Sequence, residues 1–153
     1  MSSQDVAWKP NVTVAAVVER DGRFLLIEED TARGRLFNQP AGHLEPGESL
    51  LEAVAREALE ESAYSFRPTA LVGVYQYRSS AEGVTYLRFA FAGHVTSHDP
   101  LRALDSGIVR ALWLTPQEIT HEAARHRSPQ VQRTLDDYLA GRRYPLDLLS
   151  EVL

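Results

Sequence analysis

The segment that most constrains the fold is residues 12–18, Val-Thr-Val-Ala-Ala-Val-Val, which is apolar at both odd and even positions. Its β-branched residues favour a strand. Because successive side chains of a strand point to opposite faces of the sheet, both faces of this segment must be covered. The chain therefore predicts a central strand with other elements packed on each side of it.

Further strands are predicted from turn signals and apolar runs. Asp21-Gly22 is typical of a two-residue hairpin turn, so residues 24–27 should return antiparallel to the first strand. Residues 71–77 and 84–95 are predicted to form a second hairpin, and residues 109–114 a short strand. The polar stretch of residues 28–35 is predicted to be a loop over the sheet edge.

Two helices are predicted in the last third of the chain. Thr115 precedes Pro116, which is the pattern of a capping residue followed by proline at the first helical position. Residues 128–129, Ser-Pro, repeat that pattern before a helix that should stop ahead of Gly141. Together with the acidic helix discussed below, these elements predict an α/β (α+β) fold, an α/β/α sandwich on a mixed sheet, in a single domain over residues 1–153.

Composition excludes several classes of site and partner. The chain has no cysteine, so disulfides and thiolate metal sites are excluded and a metal must bind oxygen or imidazole ligands. A net charge of −5 argues weakly against a nucleic-acid partner. No apolar run reaches the roughly 18 residues of a membrane span, and residues 1–5 lack the features of a secretory signal. We therefore expect no membrane association and a cytoplasmic protein.

An acidic helix is predicted to begin near Leu50, because Ser49 and Glu52 form a capping-box pattern. One stripe of this helix is apolar and should face the sheet; it comprises Leu51, Val54, Ala55 and Ala58. A second stripe carries the carboxylates of Glu57, Glu60 and Glu61.

These carboxylates are placed unfavourably for an ordinary surface helix. Glu57 lies three and four residues from Glu60 and Glu61, and each such like-charge pair destabilises a helix by about 0.2 to 0.5 kcal/mol. Glu60 and Glu61 also lie in the last turn, where the helix dipole disfavours anions by roughly 0.3 to 1 kcal/mol. A solvated acidic face is the alternative interpretation. A hard divalent cation such as Mg²⁺ would make the cluster favourable, so a metal site is predicted, with Arg56 bridging Glu48 or a neighbouring carboxylate.

The spacing of these residues resembles the Nudix box, G(x5)E(x7)REU(x)EE(x)GU, in which U is a bulky apolar residue. Gly42, Glu48 and the segment 56–64 match every charged position and the leading glycine of this pattern. The departures are Ala58, Ala63 and Tyr64. Ala63 replaces a glycine that permits a left-handed helix exit, so we expect a cost of roughly 1 kcal/mol or a different exit.

The box spans residues 42–64, and the segments around it resemble the NudJ branch of bacterial Nudix phosphatases. The similar segments are residues 9–15, 38–45, 87–89, 127–129 and 143–146. This resemblance implies an Mg²⁺-dependent hydrolase of phosphoanhydride bonds. Its expected substrates are nucleoside tri- and diphosphates and hydroxymethylpyrimidine pyrophosphate, with orthophosphate released. The alternatives are a pyrophosphatase for ADP-ribose or dinucleoside polyphosphates, and a Nudix module that binds nucleotides without hydrolysis.

The resemblance also implies a role for each box residue. Glu57, Glu60, Glu61 and the carbonyl of Gly42 are expected to bind Mg²⁺, with Mn²⁺ as a possible substitute. Glu57, Glu60 and Arg56 are the predicted catalytic residues, and either Glu57 or Glu60 would accept the proton of the attacking water.

Four further residues are candidates for binding a small nucleotide or pyrophosphate substrate: Gln39, His43, Arg88 and Tyr144. Arg88 lies mid-strand and is expected either to reach a substrate phosphate or to pair with a structural carboxylate. His43 has a capping or packing role as its alternative, and Tyr144 either stacks on a base or packs. The protein is expected to be a monomer or a homodimer.

Overall fold

The computed structural model describes residues 6–152, so the expectation about residues 1–5 lies outside the described residues. The strands are β1 (Asn11–Arg20), β2 (Arg23–Thr31), β3 (Gly34–Asn38), β4 (Ala41–His43), β5 (Tyr64–Ser79), β6 (Val84–His98) and β7 (Ile108–Leu114). The helices are α1 (Leu50–Ser62), α2 (Pro116–His121) and α3 (Gln130–Leu139), and short 3-10 turns follow at Ala123–Arg125 and Leu146–Leu148. Within residues 6–152, none of the helices combines the length and the apolar character that a bilayer span requires.

The strands form a mixed sheet around β1. The strand order is β3-β2-β1-β6-β5, with β4 also paired to β1 and β7 also paired to β2. β1 runs parallel to β6 and antiparallel to β2 and β4. The two halves of the sheet therefore meet at β1.

Alternate residues of β1 enter two different cores. Val14, Ala16 and Val18 pack in the cluster that contains Val54 and Ala58 of α1. Ala15 and Val17 pack in the opposite cluster, which contains Ile119 of α2 and Leu135 of α3. The helices therefore cover opposite faces, and the predicted α/β/α sandwich on a mixed sheet is confirmed.

The hairpin turns lie where the sequence predicts them. Asp21 and Gly22 have φ angles of 53° and 76°, as a two-residue turn between β1 and β2 requires. β5 and β6 form the second hairpin, with Ser79 opposite Val84.

The loop prediction for residues 28–35 is wrong, because β2 continues to Thr31 and β3 begins at Gly34. Polar composition suggested a loop, but Glu28 is only 5% exposed and its carboxylate accepts hydrogen bonds from Arg110 at 2.9 Å and Arg125 at 2.5 Å. Burial alone would raise the pKa of Glu28, yet these two arginines hold it below its usual value. Paired in this way, a charged residue is accommodated inside a strand.

The predicted helix starts are confirmed for α1 and α2 and differ slightly for α3. Ser49 and Thr115 each form a complete capping box. Pro129 occupies the cap position of α3, one residue later than Ser128, whose hydroxyl accepts a hydrogen bond from the Gln130 N–H at 3.2 Å. On α1, the predicted stripe is buried at Val54 and Ala58 and half-buried at its other two positions, while Ala53 is buried as well.

Ala63 keeps the left-handed helix exit that glycine normally provides in this motif. Its φ and ψ are 63° and 14°, and its N–H donates to the carbonyl of Leu59 at 2.9 Å. The alternative of a different exit is therefore wrong. The backbone of Ala63 carries the strain of a left-handed residue with a side chain.

Candidate active site

The acidic stripe of α1 meets a carboxylate from another part of the chain. Ligand oxygens of Glu57, Glu60 and Asp105 all lie within 4.8 Å of one another. Asp105 comes from the loop before β7, and its N–H donates to the carbonyl of Glu60 at 2.9 Å, which fixes the loop against the end of α1. Oxygen ligands gathered at this spacing suit a hard divalent cation.

Arg56 organises the carboxylates, as the sequence predicts. Its guanidinium binds Glu48 through two hydrogen bonds of 3.0 and 2.7 Å. Its Nη1 donates to Oε1 of Glu57 at 2.7 Å and to Oε1 of Glu60 at 3.0 Å. Nη2 also donates to the carbonyl of His43 at 2.9 Å, so one side chain joins α1 to β4.

Gly42 is a position where a side chain would collide with this cluster. A Cβ built there would lie 2.1 Å from Cδ of Glu57. Gly42 pairs with Val14 in the sheet, so the backbone of β4 is held in place beside the carboxylate. The leading glycine of the box is therefore required by the close approach of β4 to Glu57.

Glu61 is held by the backbone of β4. Its Oε1 accepts a hydrogen bond from the Ala41 N–H at 2.9 Å. It is not part of the group formed by Glu57, Glu60 and Asp105. Its place as a metal ligand stays a prediction.

The electrostatics of the cluster favour a bound cation. Burial raises the pKa of Glu57, Arg56 lowers it, and the negative charges of Glu60 and Asp105 raise it further. Burial raises the pKa of Glu61 to about 8 against the opposing hydrogen bond from Ala41. A nearby divalent cation would offset both the desolvation of these carboxylates and the repulsion from their negatively charged neighbours. This donor set therefore fits such a metal.

A cavity of about 730 Å³ opens beside the cluster, on the face of the sheet that also carries α3. It is lined by Gly42, Glu57 and Glu61, and also by Thr13 of β1 and Arg88 of β6, which are paired in the sheet. Its volume is in the range of cavities that bind small molecules.

Arg88 has an unusual environment for a buried charge. It is 3% exposed, and its guanidinium donates to two neutral side chains, Gln39 at 2.5 Å and Asn38 at 3.3 Å. Within residues 6–152, its Nε has no hydrogen-bond acceptor. Burial lowers the pKa of Arg88 to about 10, so the group remains a cation at neutral pH. These contacts differ from the structural carboxylate pairing that was the alternative expectation.

The other predicted substrate residues are placed differently. His43 is exposed and lines the cavity. Gln39 is buried and ties Arg88 to α3, since its amide donates to the carbonyl of Val131 at 3.0 Å. Tyr144 pairs with Leu71 on β5, is 43% exposed and lies outside the residues that line the cavity.

Sequence reasoning missed several residues at this site. Asp105 is a single acid in an irregular loop, and no local pattern distinguishes it. The cavity is also lined by Tyr77, Tyr86, Glu82 and Arg127. The tyrosines were open to prediction, because they are partners across the predicted hairpin.

Comparison with known proteins identifies the family of this chain. A family model for the NUDIX domain matches residues 8–135. The chain belongs to the Nudix hydrolase family. As a Nudix hydrolase it is an enzyme that acts on phosphorus-containing anhydrides, and enzymes of this family use divalent metals and small nucleotide substrates.

Two relatives of this Nudix hydrolase cover nearly the whole chain. Phosphatase NudJ of Escherichia coli is 40% identical over 144 residues, which span 94% of this chain and 93% of the relative. A NUDIX hydrolase structure from Nitrosomonas europaea has a TM-score of 0.92 and 53% identity, covering 94% of this chain and 98% of that one. A MutT NUDIX hydrolase structure from Burkholderia pseudomallei, at 21% identity and a TM-score of 0.72, covers 85% of this chain and 98% of that one and shares the fold.

Proposed function

We propose that this Nudix hydrolase is a Mg²⁺-dependent phosphatase of nucleoside tri- and diphosphates and of hydroxymethylpyrimidine pyrophosphate, and that it releases orthophosphate. The observation that carries the proposal is the group of Glu57, Glu60 and Asp105 oxygens within 4.8 Å, next to a cavity lined by Arg88. A carboxylate cluster beside a buried cation is suited to a metal-bound polyphosphate. The E. coli relative is a phosphatase, which supports the same reaction class.

The residues proposed to hold Mg²⁺ are Glu57, Glu60, Glu61 and the carbonyl of Gly42, with Asp105 added from the structure. All of these donors are oxygens, which suits Mg²⁺ and also admits Mn²⁺. A bound Mg²⁺ would neutralise phosphate charge and lower the pKa of a coordinated water.

The proton of the attacking water would pass to Glu57 or Glu60. Both are held by Nη1 of Arg56, so their oxygens keep a defined separation. Arg56, which the resemblance places among the catalytic residues, is proposed to act as a positioning residue, because its contacts are with the carboxylates and with the His43 carbonyl.

Arg88 is proposed to bind a phosphate oxygen of the substrate. Its Nε, which has no acceptor among residues 6–152, and its positive charge provide a donor that a phosphate would satisfy. Gln39 orients this guanidinium by accepting from its Nη2, and His43 contacts substrate at the cavity edge. Tyr144 as a stacking residue stays a prediction, as do a cytoplasmic location and a monomeric or dimeric state.

A substrate panel tests the proposal. Nucleoside tri- and diphosphates, hydroxymethylpyrimidine pyrophosphate, ADP-ribose and a dinucleoside tetraphosphate are each incubated with enzyme and Mg²⁺, and the phosphorus products are identified. Release of orthophosphate from the first three supports a phosphatase. Release of two phosphorylated products from ADP-ribose or the dinucleotide, with no orthophosphate from the others, would replace it with a pyrophosphatase.

A further inference from the structure

The loop that carries Asp105 has little packing of its own. It spans residues 99–107 between β6 and β7, and almost all of its residues are exposed. Two backbone hydrogen bonds of 2.9 Å join it to the end of α1: the Asp99 N–H donates to the Ala63 carbonyl, and the Asp105 N–H donates to the Glu60 carbonyl. Exposed segments with few buried contacts open readily. The position of Asp105 therefore depends on how firmly the ends of this loop are held.

Tyr64 contacts both strands that flank this loop. It is the first residue of β5 and pairs with His98, the last residue of β6. The rings of Tyr64 and His98 are stacked, with centroids 4.1 Å apart and planes that differ by 20°. Trp113 of β7 packs edge-on against Tyr64 at 5.6 Å, and its Nε1–H donates to the Tyr64 hydroxyl at 3.1 Å. One side chain thus joins the strand before the loop to the strand after it.

Arg20 completes this group from the end of β1. Its guanidinium carbon lies 4.1 Å from the ring centroid of Trp113 and 5.6 Å from that of Tyr64, and both distances are in the range of cation–π contacts. We call Tyr64, His98, Trp113 and Arg20 the aromatic clamp. None of these four is among the described residues that line the cavity, so the clamp lies outside the space available to substrate.

The exit from α1 also depends on contacts of this kind. Ala63 is left-handed, with a φ of 63°, and it directly precedes Tyr64. A left-handed residue with a side chain persists only where the surrounding structure fixes it. The carbonyl of Ala63 accepts from the Asp99 N–H, and Asp99 directly follows His98 of the clamp. The clamp therefore fixes the chain at both partners of this hydrogen bond.

We propose that Tyr64 is a positioning residue, which through the aromatic clamp holds the loop that keeps Asp105 beside Glu60. The proposal rests on the proposed function, because it treats Asp105 as a metal ligand. Removal of outer contacts that orient metal ligands typically lowers metal affinity or activity by roughly 10- to 100-fold. Tyr64 acts through a loop and does not touch the carboxylates, so an effect at the low end of this range is expected.

Hydrogen exchange in the metal-free protein tests the clamp without turnover. Protection factors of the Asp99 and Asp105 amides are measured by NMR for wild type, Tyr64→Leu and Tyr64→Phe. Leucine is an aliphatic residue of the kind that the box pattern has at this position, so the variant is expected to fold. Protection of both amides should fall about tenfold in Tyr64→Leu, which loses its ring contacts. Tyr64→Phe keeps the ring and should retain most of the protection.

Metal binding and kinetics test whether the clamp acts on the site. Binding of Mn²⁺ in the absence of substrate is measured by electron paramagnetic resonance of the free ion. We expect Tyr64→Leu to weaken Mn²⁺ binding about tenfold and to lower kcat by a similar factor. The KM for a nucleoside triphosphate should change less, because the clamp does not line the cavity. Tyr64→Phe should restore most of both losses.

Tyr138→Leu is the matched control, because Tyr138 makes the same three kinds of contact elsewhere. It packs edge-on against Phe24 at 5.2 Å, lies 3.8 Å from the guanidinium of Arg143, and donates to Glu19 at 2.8 Å. It packs on the opposite core from Tyr64. This variant should lower the melting temperature and leave Mn²⁺ binding and the protection of the loop amides unchanged.

A double variant shows whether Tyr64 acts through Asp105. Because both changes would disable the same ligand, Tyr64→Leu should weaken Mn²⁺ binding little further when Asp105→Asn is already present. Fully additive losses would overturn the positioning role. The same holds for a Tyr64→Leu protein that melts at a lower temperature but has wild-type loop protection and Mn²⁺ affinity.

The remaining outcomes separate this inference from the proposed function. His98→Ala changes only an exposed ring of the clamp, and it should reduce loop protection in the same way if Tyr64→Leu does not fold; unchanged protection in His98→Ala would then overturn the inference. Normal Mn²⁺ binding and orthophosphate release by wild type, with no effect of Tyr64→Leu, would overturn the inference alone. A wild-type protein that binds no Mn²⁺ would overturn the proposed metal site and with it the role of Asp105, whatever the exchange rates show.

Discussion

Replacement of Gly42 by alanine tests whether the backbone of β4 positions the carboxylate of Glu57. A Cβ at this position would lie 2.1 Å from Cδ of Glu57, whereas real Cβ contacts essentially never fall under 3.0 Å, so the carboxylate has to move by about 0.9 Å. Misplacement of a reacting group by about 1 Å can lower a rate about 100-fold. We therefore expect kcat/KM of Gly42→Ala to fall about 100-fold, which corresponds to a loss of about 2.7 kcal/mol of transition-state stabilisation.

The assay is orthophosphate release from a nucleoside triphosphate over a range of Mg²⁺ concentrations, with thermal melting measured alongside. The φ angle of Gly42 is outside the left-handed region, so alanine adds no backbone strain there. Gly22→Ala is the control, because Gly22 has a φ of 76° and nothing within 4 Å of a built Cβ. That control should lower stability by roughly 1 kcal/mol and leave kcat/KM unchanged.

A double variant shows whether Gly42 acts through Glu57. If it does, Gly42→Ala should add little to the loss already caused by Glu57→Gln, because both changes disable the same group. Two results would refute the reasoning: a Gly42→Ala enzyme with near-normal kcat/KM, or a double variant whose losses are fully additive.

Three further predictions concern single side chains. Glu57→Gln should lower Mg²⁺-supported turnover by orders of magnitude with an unchanged circular dichroism spectrum, and near-normal phosphate release would contradict its assignment. Arg88→Lys should raise KM for phosphate substrates about tenfold, because an ammonium group cannot reproduce the guanidinium fork; an unchanged KM in a folded variant would remove Arg88 from the site. Burial would raise the pKa of Glu28, but Arg110 and Arg125 hold this pKa below its ordinary value of 4.5. The ionised Glu28 therefore stabilises the fold above about pH 4.5, and this contribution is lost as the pH falls through the folded-state pKa. The difference in free energy of unfolding between wild type and Glu28→Gln should therefore shrink on going from pH 7 to below pH 4, and a difference independent of pH would exclude this linkage.

Features that depend on neighbouring residues could be predicted from the sequence. The turn at Asp21-Gly22 and the capping boxes of Ser49 and Thr115 are formed by contacts within four residues. The Arg56 contacts within α1 have the same local character, since Glu57 and Glu60 lie one and four residues away. For these features the sequence contains both partners of the interaction in one short window.

Features that depend on distant partners could not be predicted in this way. Glu28 is accommodated in β2 by arginines that are 82 and 97 residues away in the chain. Asp105 reaches the carboxylate cluster because its loop binds the backbone of Glu60, 45 residues earlier. A polar stretch and a single loop acid have no local signature of these pairings.

The tyrosine pair is an intermediate case. The turn of the β5–β6 hairpin was predicted correctly, and Ser79 pairs with Val84 at its base. Counting two residues outward on each strand places Tyr77 opposite Tyr86. The register of a hairpin follows from its turn, so this aromatic surface was available from the sequence once the turn was known.

The contacts of Arg56 bear on whether folding of the chain depends on a bound metal. Its guanidinium already supplies a positive charge to Glu48, Glu57 and Glu60, so the acidic end of α1 is balanced by the chain itself. We therefore expect the chain to fold without a bound ion, unlike small domains that fold only around their metal. The supply of divalent ions would then set how fast each molecule works and would have little influence on how many molecules are folded.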